Sequence, residues 1–211
     1  MTELKKLTIH RALTELKMLN LRIEAATNDV SVVLANRKSN EKINGIDMKE
    51  FEKQMQASYD KVTSLIQYRN RIKALVVESN ATTKVIIGSD EMTVAEAIER
   101  KQSIYFEKQL LERMQQQYRT AIKTVAKEND ALPAKLETYL VNILGNKEKQ
   151  SAEEVKLHTE TFMKRNEFDF VDPMNAKKMI ETLSSRIEEF ESEVDAVLSE
   201  SNATTFIFIQ Q

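Results

Sequence analysis

The chain has 211 residues, with 31 lysines and arginines against 33 aspartates and glutamates, and a formal net charge of −2. The two signs are interspersed, no basic stripe of the kind that displaces counterions is visible, and no nucleic-acid partner is expected. The absence of cysteine excludes disulfides, thiolate metal sites and cysteine nucleophiles. Three glycines and two prolines leave few chain breakers, and long helices are expected.

Helix one is expected from Glu3 to Thr27, with Ile9, Leu13, Leu16, Asn20 and Ile23 as its seam. The β-branched run Val30 to Leu34 reads as a strand, and Asn36 to Gly45 as a polar loop. Asp47, followed by Glu50, starts helix two. Its seam alternates by three and four through Met48, Phe51, Met55, Ser58, Val62, Leu65, Arg69, Ile72 and Val76. At ~1.5 Å per residue such a helix is about 45–50 Å long. Thr93 and Glu96 form a capping box for helix three, whose apolar positions include Val94, Ala97, Ile98, Ile104, Leu111, Tyr118, Ile122 and Val125.

After Pro133, Leu136, Tyr139, Leu140, Ile143 and Leu144 make a short amphipathic helix that Gly145 stops. Ser151 and Glu154 cap another, carrying Val155, Leu157 and Phe162. Phe168 to Val171 reads as a strand. Asp172 and Pro173 begin the last long helix, with Ile180, Leu183, Ile187, Phe190, Val194 and Val197 as its seam.

The run Glu78-Ser79-Asn80-Ala81-Thr82-Thr83 returns intact as Glu200-Ser201-Asn202-Ala203-Thr204-Thr205. Each copy ends a helical pattern and opens a β-rich run, Lys84 to Ile87 or Phe206 to Ile209. Two exits built alike indicate two related halves. Asn80 and Asn202 suit the left-handed residue that terminates many helices. They also match the glycosylation sequon, but a structural role is expected.

The expected fold is mainly α, an up-down-up-down bundle of four long helices with short antiparallel β elements at its ends. One end pairs residues 84–87 with 206–209. The other pairs the strand after helix one with the strand before the last helix. Residues 1–128 and 166–211 form this bundle, and 129–165 is a short-helix insertion within the same domain.

The ordered set Ser-Asn-Ala-Thr-Thr, Met92 to Lys101, Glu167 to Val171, and a final helix ending in Ser-Asn-Ala-Thr-Thr resembles the septicolysin-like family of small helical proteins. The resemblance implies an Asn-Ala-Thr turn, then a helix start of the type Leu-Thr-(Glu/Asp)-Ala-Leu. Met92 and Val94 to Ile98 keep that pattern loosely, and Thr93 keeps the capping role. The 129–165 segment is longer than the resemblance implies. The family supplies no catalytic residues to carry over, and its label implies a haemolysin.

Chemistry in the residues themselves is sparse. A di-metal bundle needs Glu-x-x-His pairs, whereas Leu7 and Val155 stand three residues before His10 and His158, the only histidines. Glu154 and His158, one turn apart, read as a solvated surface pair. The carboxylates Glu188, Glu189, Glu191, Glu193 and Asp195 read as a solvated face rather than an acid–base pair in a cleft. Gly88-Ser89-Asp90 is a turn and lacks a phosphate cradle. Met18, Met48, Met55 and Met114 read as core filling. No enzymatic activity, cofactor or metal is expected.

The expectation is a non-enzymatic structural or interaction protein, a self-associating assembly component suited to a large particle such as a virion. Its homo-oligomer or partner interface would use Leu136, Tyr139, Leu140, Ile143 and Leu144, or Phe206, Ile207, Phe208 and Ile209, which are apolar on both faces of a strand. The runner-up is the membrane-damaging protein of the family label. No apolar stretch approaches the about 20 residues of a spanning helix, and the first residues lack a signal core. Cytoplasmic synthesis is expected.

Overall fold

Few breakers leave the backbone few places to stop, and the chain is mainly helical with short antiparallel strand pairs. A computed structural model describes residues 4–145 and 151–210. In chain order come β1 (Leu4–Thr8), α1 (Ile9–Asp29), β2 (Lys42–Ile43), β3 (Ile46–Asp47), α2 (Met48–Thr82), β4 (Lys84–Ile87) and β5 (Asp90–Thr93). They are followed by α3 (Val94–Asp130), α4 (Leu132–Leu144), α5 (Ala152–Asn166), α6 (Ala176–Thr204) and β6 (Phe206–Gln210). The chain forms two compact units, Met1–Gln102 with Glu189–Gln211, and Ser103–Glu188. Their borders fall inside α3 and α6.

In the first unit α1 lies antiparallel on α2. Tyr68 donates to Glu15, Arg69 donates to Asn20, and Val32 sits beside Met55 and Tyr59. The core joins Leu7, Ile9, Ala12, Leu16 and Leu19 to Ile72 and Val76 of α2 and to Ile207 and Ile209 of β6. All nine expected seam positions of α2 are buried or half-buried. In α1 the expected Ile9 and Leu16 are buried and Ile23 is half-buried, but the two positions between them are rotated by one. Ala12 and Leu19 are buried, whereas Leu13 is 41% exposed and Asn20 is exposed, held by Arg69. The ribbon supplies the reason, because Leu7 and Ile9 must enter the core together with Ile207 and Ile209.

The strand pairing differs from the expected one. Residues 84–87 and 206–209 do not pair; β4 pairs with β5, and β6 pairs with β1. Local closure wins for β4, since Gly88 (φ +59) opens a two-residue turn to β5. The expected helical start at Glu3 lies outside the described residues, and from Leu4 the chain is strand. Val30 to Leu34 has no strand partner and is not a strand; Val32, Val33 and Leu34 stay exposed. Within the expected polar loop, Lys42–Ile43 and Ile46–Asp47 form a hairpin around Asn44 (φ +50) and Gly45 (φ +82). Asn-Gly between two isoleucines is the sequence signal for that turn.

In the second unit α4 packs on α5, with the Tyr139 ring 4.9 Å from Phe162 and 6.1 Å from His158. Phe168 to Val171 is not a strand. The Asn129 side chain accepts from the Phe168 N–H and donates to its carbonyl, both at 2.9 Å, doing the work of a neighbouring strand. Phe170 meets Tyr118 edge-on at 5.4 Å. Asp172 accepts from the Ala176 N–H, so α6 starts at Ala176 and Pro173 stays in the preceding turn.

Replacing Ile72, which is fully buried, by Ala is expected to cost about 2–5 kcal/mol. Leu13→Ala should cost less, about 1 kcal/mol, because that residue lies at the edge of the core and is 41% exposed. Urea unfolding of both variants checks the rotated seam. A Cβ at Gly88 would lie 3.0 Å from the Glu189 carboxylate, while one at Gly45 meets nothing within 4 Å. Both have left-handed backbones, so Gly45→Ala should lose about 1–2 kcal/mol from strain and Gly88→Ala more than that in the same unfolding assay.

Candidate functional site

The two copies of Glu-Ser-Asn-Ala-Thr-Thr come together in the first unit and are built from the same hydrogen bonds. The Thr83 N–H donates to the Ser79 carbonyl at 2.8 Å, and the Thr205 N–H to Ser201 at 2.9 Å. The Thr82 hydroxyl donates to the Glu78 carbonyl, and the Thr204 hydroxyl to Glu200. Asn80 and Asn202 do not take the expected left-handed conformation. Each helix runs on to the first threonine, and the second leaves it extended, as Thr83 shows (φ −73, ψ 123). The threonine bonds satisfy the last helical carbonyls without a left-handed residue.

The likeness continues into the next element. Val94 N–H donates to Thr83 O at 2.9 Å, and Ile9 N–H donates to Thr205 O at 3.0 Å. Lys84 stands opposite Thr93 in one ribbon, and Phe206 opposite Thr8 in the other. Thr93 accepts from the Glu96 N–H, and Thr8 from the Arg11 N–H, so both cap the helix that follows. The likeness runs past the six identical residues of the repeat: Thr93-Val94-Ala95-Glu96-Ala97-Ile98 and Thr8-Ile9-His10-Arg11-Ala12-Leu13 share threonine, a β-branched residue, alanine and a branched aliphatic at the same spacing.

Two equivalent grooves flank these exits. One lies between residues 83–86 and the α6 face of Val197, Glu200, Ser201 and Thr204, with Glu91 and Thr205 completing it. The other lies between residues 205–208 and the α2 face of Leu75, Glu78, Ser79 and Thr82, with Thr83 completing it. Their volumes are about 520 and 350 Å³. The helix walls use spacings of three and four, one face of each helix.

The terminal ribbon sorts the expected interface residues. Ile207 and Ile209 are buried in the core, which removes them from any exposed surface. Phe206 and Phe208 point outward, 45% and 54% exposed, with Leu4 beside them on β1. The Lys6 ammonium sits 3.9 Å from the Phe206 ring centroid. Alternation of side chains across the strand produces this division. In the second unit Leu136, Tyr139, Leu140 and Leu144 are half-buried, with Tyr139 against α5, while Val141 and Ile143 are exposed.

The acidic run on α6 is partly engaged. Glu193 accepts from the Gly88 N–H at 2.8 Å, and Asp195 pairs with Lys101. The Arg100 guanidinium lies over Phe190 at 4.4 Å. A half-buried network joins Lys5, Glu15 and Tyr68, and the Glu15 carboxylate raises the Lys5 pKa. Burial raises that of Tyr68, with the Glu15 carboxylate adding to it. His158 faces Tyr139, Nδ1 3.4 Å from the phenol oxygen. Among the described residues no three acidic or histidine side chains converge as a metal site requires. No helix there is long and apolar enough to cross a membrane.

Compared with family models, curated proteins and solved structures, the chain matches none.

Thr93 donates to Glu96 through its N–H at 2.7 Å and through its hydroxyl at 2.9 Å. The backbone bond first, and the hydroxyl second, hold the Glu96 carboxyl below its ordinary range. A lowered folded pKa stabilises the protein above the unfolded value of about 4.3 and ceases to do so as pH falls through the folded value. Glu96→Gln should therefore lower Tm near neutral pH, and the gap from the parent should close below about pH 4. Thermal melts across pH 2–7 measure it.

Proposed function

We propose that this chain is a non-enzymatic structural or interaction protein, a self-associating helical assembly component of the kind a large particle such as a virion uses. The observation that carries this reading is the outer face of the β1–β6 ribbon, where Leu4, Phe206 and Phe208 lie together in solvent. Burying large aromatic surface is a main driving force of protein association. Val32, Val33 and Leu34 in the first unit, and Val141 and Ile143 in the second, add further uncovered apolar surface.

The finer arrangement in this reading is an up-down-up-down bundle of α1, α2, α3 and α6. It draws support from the antiparallel α1–α2 pair and from the seating of Arg100 and Lys101 on Phe190 and Asp195. The resemblance to the septicolysin-like family offers the competing reading, a membrane-damaging protein. Phenyl rings together with a lysine are also groups that amphipathic segments place at a membrane surface.

Light scattering coupled to size exclusion, over a wide concentration range, should give a mass at a multiple of 24.3 kDa. The double variant Phe206→Ser/Phe208→Ser should fall toward the single-chain mass with its helical circular dichroism intact. Ile143→Ser should do the same if α4 contributes to the interface. A single-chain mass for the parent at every concentration retires self-association. Dye release from liposomes, abolished by the same double variant, would transfer the argument to the membrane reading.

A further inference from the structure

The groove walls have opposite characters. One wall is a helix face, but the other is four consecutive residues, 83–86 or 205–208. A strand shows consecutive residues along its edge and alternate ones across its face. It is therefore a strand edge that borders each groove.

The edge is open. In an antiparallel pair, hydrogen-bonded and non-bonded positions alternate. Because Val94 N–H bonds Thr83 O, positions 85 and 87 bond β5, and the backbones of Lys84 and Ile86 point the other way. By the same count from Ile9 and Thr205, Phe206 and Phe208 point away from β1. Each ribbon has two strands only, and among the described residues nothing pairs with these edges.

The helix wall sets the charge. Each groove ends a long helix at its carbonyl pole, and neither last turn has a basic residue. Glu78 lines one groove and Glu200 the other, and among the described residues neither carboxylate has a cationic partner. The lysines nearby are occupied, Lys84 with Glu91 at 3.2 Å and Lys6 on the Phe206 ring. Ser201, 9% exposed, lines the groove beside Glu200.

We infer that the two grooves are duplicate docking sites for an extended peptide segment that alternates basic and apolar residues. Its backbone adds to the open edge of β4 or β6. Its basic side chains meet Glu200 or Glu78 and the helix carbonyl pole, and its apolar ones meet Ile86 or the rings of Phe206 and Phe208. Such addition of a strand to an exposed edge is a recurring mode of peptide recognition.

The probe is acetyl-(Lys-Val)4-amide, titrated calorimetrically into the intact protein, with acetyl-(Glu-Val)4-amide as the charge control. The expected result is saturable binding of two lysine peptides per chain and none of the glutamate peptide. Glu78→Gln and Glu200→Gln should each weaken one of the two sites by about two- to fivefold. Methylating alternate backbone nitrogens of the peptide should abolish binding, a control that leaves the protein unchanged. No saturable binding, a single site, or binding indifferent to both carboxylates and to N-methylation would overturn the inference. Light-scattering mass recorded on the same samples keeps this outcome separate from self-association.

Discussion

Two backbone hydrogen bonds, Val94 N–H to Thr83 O and Ile9 N–H to Thr205 O, fix the layout of the first unit. Each ties the end of one long helix to the start of another across a two-stranded ribbon. The helix that leaves must end in an extended residue, and the helix that enters must begin with a cap on the opposite strand. Thr83 with Thr93, and Thr205 with Thr8, meet those two demands. A shift of one residue in either ribbon would reverse which side chains face inward. Leu7, Ile207 and Ile209 would then leave the core.

Such junctions explain why the protein has so few glycines. Helix termination by the two-threonine exit requires no left-handed residue, so α2 and α6 end without glycine, whereas α4 ends at Gly145 with φ +74. At Gly88 the requirement is twofold, since the backbone is left-handed and the turn seats against Glu189 and Glu193. The acidic face of α6 thus holds the β4–β5 turn in place. In the second ribbon, β1 and β6 come from distant parts of the sequence, so the same junction forms there without a turn.

The same geometry makes the surfaces on which function is argued. A strand with apolar residues at every position has one set to bury and one left over, and burial of Ile207 and Ile209 forces Phe206 and Phe208 outward. A two-stranded ribbon likewise pairs one edge of each strand and leaves the other open. Exposed rings and open edges both favour association, by different forces. The rings gain from exclusion of water and the edges from backbone pairing.

Much of the helical content was legible in the residues themselves. The α2 seam repeats with little interruption, and Asp47, Thr93 and Ser151 cap where their side chains allow. The repeated exit was also visible, because identical residues in identical settings fold alike. What the residues could not decide was partnership. Val30 to Leu34 has every intrinsic feature of a strand but no neighbour to complete its hydrogen bonds, and Phe168 finds its partner in the Asn129 side chain. The rotation of α1 that turns Leu13 outward depends on a ribbon whose other strand lies almost two hundred residues away. Local periodicity and capping are properties of neighbouring residues, so the sequence determined the helices and their exits. Strand pairing, and with it the choice of which apolar residues remain in solvent, is a property of distant ones, and only the tertiary structure decided it.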